Sequence, residues 1–288
     1  MDGSRAKLIR LVALLFAGLV LSTYAGAVSL TGDLAQGGLA TGQVPPGATA
    51  ELLGGHAVVT DDGVLLLAVG RDFPAQAEVV VRLPSGLEER DTVAVLQREF
   101  KIQRIDGLPS RQVTPPEAVL ARIRGEQVRV SRARGQRRRA ADFSAGFRWP
   151  VVGPITGVYG SQRILNGQPR QPHYGVDIGV PTGTLVVAPS PGLVTLTDVD
   201  LYFSGGTLII DHGYGLSSSF LHLSEILVEE GEFVNQGQPI AKVGATGRVT
   251  GPHLDWRMNL GGVRIDPVLV LEALPAATTG RSAEHSPN

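Results

Sequence analysis

From position 57 to 96 the chain alternates short apolar runs with turn residues. Ala57-Val58-Val59-Thr60 and Val64-Leu65-Leu66-Leu67-Ala68-Val69 flank Asp61-Asp62-Gly63, the pattern of a β-hairpin. Ala77-Glu78-Val79-Val80-Val81-Arg82-Leu83 then stops at Pro84-Ser85-Gly86, ahead of Thr92-Val93-Ala94-Val95-Leu96. These runs predict a small β-sandwich over residues 28–105, in which the isolated His56 is expected at the surface or in a turn. The period changes at Thr114-Pro115-Pro116-Glu117, where a T-x-x-E capping pattern with proline in the first turn predicts a helix start. Val119, Ile123 and Val130 give that helix one thin apolar stripe. After Phe147-Arg148-Trp149-Pro150 the β pattern returns in runs such as Leu185-Val186-Val187-Ala188 and Thr207-Leu208-Ile209-Ile210. Residues 275–288 are small or polar and are expected to form a disordered tail.

At 288 residues the chain is long enough for about two cores. Its 37 glycines, 19 prolines and few aromatics reinforce a mainly β reading with many turns. Residues 1–27 read as an export signal: Arg5, Lys7 and Arg10 precede an apolar run from Leu11 to Leu21, and Ala25-Gly26-Ala27 supplies a cleavage site. The expected location is therefore the periplasm or cell envelope. The absence of cysteine excludes disulfides and thiolate ligands, leaving His and carboxylate for any metal.

A formal net charge of -1 gives no global argument for nucleic acid, and none is expected as a partner. Charge is nevertheless concentrated locally. Eight arginines fall between positions 122 and 139, against the single acid Glu126. The expectation is a solvated helix face running into a flexible linker, residues 106–146, with an acidic envelope surface as the contact available to it.

The candidate chemistry lies in two clusters about eighty residues apart. His253 and Asp255 in Gly251-Pro252-His253-Leu254-Asp255-Trp256 share a face if the segment is extended. His173 and Asp177, four apart in His173-Tyr174-Gly175-Val176-Asp177, share a face whether extended or helical, and imidazole with carboxylate is a normal zinc pair. With His222 in Leu221-His222-Leu223, Gly157-Val158-Tyr159-Gly160 and Gly244-Ala245-Thr246-Gly247, the pattern resembles the LytM/lysostaphin-type zinc endopeptidases of family M23 over roughly residues 147–270. That resemblance implies a C-terminal antiparallel β-sheet peptidase domain, 147–274, with a metal in a groove. It also implies one Zn²⁺ held by His173, Asp177 and Asp255, with His222 and His253 as catalytic histidines and peptidoglycan as the substrate. One position departs from the family: Asp255 stands where its second H-x-H histidine binds zinc. A second carboxylate weakens the Lewis acid and also suits Mn²⁺.

The same departure keeps a second class open, a noncatalytic LytM-like module that binds wall or activates a separate wall amidase, which would make envelope proteins its partners. His212 is expected to be structural. Tyr159 and Arg163 either line the groove or pack its wall, and the turn at 166–170 ends in Arg170, a candidate for a substrate carboxylate.

Overall fold

A computed structural model describes residues 29–105 and 117–277. The expected leader at 1–27, Thr114 of the capping pattern and residues 278–288 lie outside the described residues.

The N-terminal part is built from two four-stranded sheets. One has the order Ser29–Thr31, Leu39–Gln43, Val64–Ala68, His56–Val59; the other has Leu34–Ala35, Glu88–Leu96, Gln76–Arg82, Thr49–Leu52. The expected hairpin forms, with Val59 opposite Leu65. Side-chain alternation divides the Val64–Ala68 strand between two cores. Leu65 and Leu67 pack with Val79, Val81 and Val95 inside the sandwich, whereas Leu66 and Ala68 join Leu39 in the C-terminal core. The two parts therefore share apolar contact.

The C-terminal part is a ten-stranded sheet. Its main path runs Ile155–Gly157, Val176–Ile178, Leu254–Leu260, Leu216–Ile226, Gly205–Asp211, Gly192–Leu201, Phe233–Val234, and every pairing in it is antiparallel. One face carries the core of Trp256, Phe220, Leu208 and Ile210. Helix α2 (Pro267–Ala273), capped by Asp266 accepting from the Val268 amide, follows the Val263–Ile265 strand.

The structure corrects several expectations. Strand Ile102–Ile105, assigned to the sandwich, pairs parallel with Gln162–Leu165 instead. Pro275 and Ala276, assigned to a tail, are tied to Phe147 through a bridge and an Ala276 N–H to Phe147 C=O bond of 3.1 Å. His56 opens a strand, and a Cβ on Gly261 would collide with its ring. Its pKa is lowered by burial and by the charge of Arg137. The arginine-rich run is pinned rather than flexible. Helix α1 (Glu117–Arg134) buries Ile123 and Ala133, and Ala133 packs with Leu196, Leu201 and Ile209 on the outer face of the sheet. Arg122, Arg129, Arg138 and Arg139 pair with Asp200, Asp198, Asp211 and Asp61 in turn. Among the described residues, no helix is long and apolar enough to cross a membrane.

Candidate metal centre and its groove

The Leu254–Leu260 strand places the chemistry by alternation. Leu254, Trp256, Met258 and Leu260 enter the core, so Asp255, Arg257 and Asn259 face the opposite side. Register sets Asp255 beside Asp177 on one neighbour and Leu221 on the other. Two glycines make room for the carboxylates: a Cβ on Gly157 would strike Asp177, and one on Gly175 would strike Asp255.

His173, Asp177 and Asp255 each offer one ligand atom within 4.8 Å of the others. His173 Nε2 lies 2.8 Å from Asp177 Oδ1. His222 and His253 complete the cluster, their rings 4.9 Å apart. His222 Nδ1–H donates to Thr246 C=O at 2.9 Å, and His253 Nδ1–H donates to Gly251 C=O at 2.9 Å. These bonds fix the tautomers, so both Nε2 atoms are acceptors in the neutral rings. His222 Nε2 faces Asp255 Oδ2 at 4.0 Å, and His253 Nε2 faces Asp177 Oδ1 at 3.8 Å. Lone pairs opposed to carboxylates are unfavourable unless positive charge lies between them. With ligand atoms this close, a donor set of one imidazole and two carboxylates fits a zinc ion.

His222 adopts φ 65°, a left-handed conformation uncommon for a side-chain-bearing residue. It is held there by its N–H to Ser204 C=O and by Thr246, whose hydroxyl donates to Leu223 C=O and accepts from Gly206 N–H. Burial lowers the pKa of His222 and raises that of Asp177, the latter further through the Asp255 charge. Burial acts to raise Asp255 as well, but Arg257, with His173 and His222, holds its carboxyl below the usual range.

Sequence reasoning missed Arg257. Its Nε lies 3.0 Å from each Asp255 oxygen, with Nη2 at 2.5 Å from Oδ2. Asp255 is 2% exposed, so this forked ion pair is buried at its carboxylate end and partly open at its guanidinium. The period-2 spacing of 253, 255 and 257 was the available signal. His212 is structural, its Nδ1–H donating to Pro191 C=O at 2.7 Å and its Nε2 accepting from Ser218 at 2.9 Å. Tyr159 is buried edge-on to Phe100 and belongs to the wall, whereas Arg163 is exposed on the groove rim. Arg170 lines the groove, and its Nε and Nη2 are buried without a hydrogen-bond partner among the described residues.

The groove is about 1430 Å³, with the histidine–carboxylate cluster on its floor and Gln127, Val130 and Arg134 of α1 along its wall.

A strand-borne His/Asp cluster in such a groove is a candidate metal site. Residues 171–267 match Peptidase family M23, and the C-terminal domain belongs to that family. The chain is 41% identical to the peptidoglycan DD-endopeptidase ShyB of Vibrio cholerae over 136 residues, 47% of this chain and 28% of that protein. It is 31% identical to the murein hydrolase activator EnvC of Escherichia coli over 197 residues, 68% of this chain and 42% of that protein. It therefore spans less than half the length of either. The crystal structure of a putative peptidase M23 from Pseudomonas aeruginosa superposes with a TM-score of 0.63 at 29% identity, covering 84% of this chain and 97% of that one.

Proposed function

We propose that the protein is an envelope metalloendopeptidase that hydrolyses peptide bonds in the stem peptides or cross-links of peptidoglycan, with His173, Asp177 and Asp255 as ligands of one Zn²⁺. The observation that carries this reading is the pair of imidazole acceptors, His222 and His253, facing two carboxylates at 4.0 and 3.8 Å. When bound, zinc supplies a Lewis acid that acidifies water and polarises the scissile carbonyl. His222 and His253, with Nδ1 committed to backbone carbonyls, each present Nε2 to the reacting atoms. One takes the proton of the attacking water; the other, once protonated, stabilises charge developing on the carbonyl oxygen. Gly157 and Gly175 keep the carboxylates close to these rings. Similarity to ShyB, a peptidoglycan DD-endopeptidase, supports the substrate class.

A second reading, activator of a separate wall amidase, is favoured by the resemblance to EnvC and by the Arg257 fork on both oxygens of Asp255. Metal analysis of the purified chain, followed by digestion of isolated peptidoglycan and mass identification of fragments, separates the two. New peptide ends support the peptidase. No release with zinc or manganese, together with stimulation of an added amidase, supports the activator.

A further inference from the structure

We propose that Arg134 of α1 and Arg264 of the Val263–Ile265 strand form a subsite for a free carboxylate of an extended peptide, beside the Asp255–Arg257 pair. The proposal rests on the reading of the groove as a peptide site. Neither guanidinium is in an ion pair among the described residues. Arg134 Nε reaches only the Ser219 hydroxyl, at 3.3 Å, and Arg264 Nη1 only the Asn259 amide oxygen, at 3.3 Å. Both contacts are long and neutral. Other arginines of the same run do have acids: Arg129 meets Asp198, and Arg138 meets Asp211. Arg257, beside them in the groove, is occupied by Asp255.

Two half-buried cations without a counter-ion are costly. Burial and the charges of Arg264 and Arg257 push Arg134 down to about 8, while burial and Arg257 push Arg264 down to about 10. Both stay protonated at neutral pH, so their fields add where they face the groove. Planar guanidinium forks match carboxylate geometry. Register fixes the distance from the chemistry. Ser219 is opposite Arg257, and Asn259 is opposite Arg264. These anchor points lie two and four residues along the strand from Asp255, roughly 7 and 14 Å. An extended peptide carboxylate held there would sit about two to four residues from the scissile bond.

The test is calorimetric titration of the full chain, metal-free and zinc-loaded, with N-acetyl-dialanine as the free acid and as the terminal amide. The acid should bind more tightly than the amide by about tenfold or more, as charge-assisted hydrogen bonds imply. Arg134→Gln and Arg264→Gln should each remove most of that preference and leave amide binding unchanged. Without ligand, both variants should unfold at the same or a higher temperature, because each removes repulsion. Equal binding of acid and amide, no binding of the acid, or lowered unfolding temperatures with the preference intact would overturn the subsite. Acid preference that depends on both arginines in a chain that releases no peptidoglycan fragments would keep the subsite and sink the peptidase reading instead.

Discussion

If Asp255 is a metal ligand, Arg257 must set the charge of the site. Replacing a ligand histidine by aspartate adds one negative charge, and the forked guanidinium returns it. Asp255→His alone should therefore fail to give a good zinc site. It leaves Arg257 without its partner, next to a dication. A dication held at Asp255 would stand on the order of 5 Å from the guanidinium bonded to that carboxylate. At an effective dielectric of about 20, two unit charges at that distance interact by about 3 kcal/mol, and a dication by about twice as much. The Arg257 side chain is 27% exposed. Solvent screening brings the net effect to about 3 kcal/mol, on the order of 100-fold in zinc affinity. Asp255→His should bind zinc about 100-fold more weakly than Asp255→His/Arg257→Gln, in which the unpaired guanidinium is gone. Competition against a chromophoric zinc chelator measures all four corners of the cycle. Unaltered zinc affinity on adding Arg257→Gln to Asp255→His would refute the charge argument.

His222→Ala and His253→Ala should each retain metal while losing about 10² to 10⁴ in hydrolysis rate, read from parallel metal content and fragment release; metal loss in either would make it a ligand. Gly157→Ala should fold but hold metal weakly, because the new methyl displaces the Asp177 carboxylate, and the same chelator competition reads this. Burial pushes His212 down to about 4 from an ordinary 6.5. A lowered folded pKa means the unfolded chain takes up the proton first, so stability is complete above pH 6.5 and falls as pH drops toward 4. The loss is about 3 kcal/mol at this one group. Denaturant midpoints across that window should flatten in His212→Asn; an unchanged slope would assign the loss elsewhere.

The hairpin at 57–69 and the polar face of the Leu254–Leu260 strand were legible because period-2 alternation is local and needs no partner to be read. His173 and Asp177 were legible as a pair for the same reason. What the sequence did not reveal depended on long-range register. Arg257 looked like an ordinary strand charge until Asp255 was known to be buried, and Arg134 looked like one more solvated arginine of a basic run. The error about that run has a physical cause. Eight arginines with one local acid suggest a solvated segment, but their acids, Asp198, Asp200 and Asp211 among them, lie some 70 residues away on neighbouring strands. Composition counts charge along the chain, while an ion pair forms in space. Among the arginines of the run that have no acid among the described residues, Arg134 is the informative one, because it is half-buried, reaches the Ser219 hydroxyl and lines the groove.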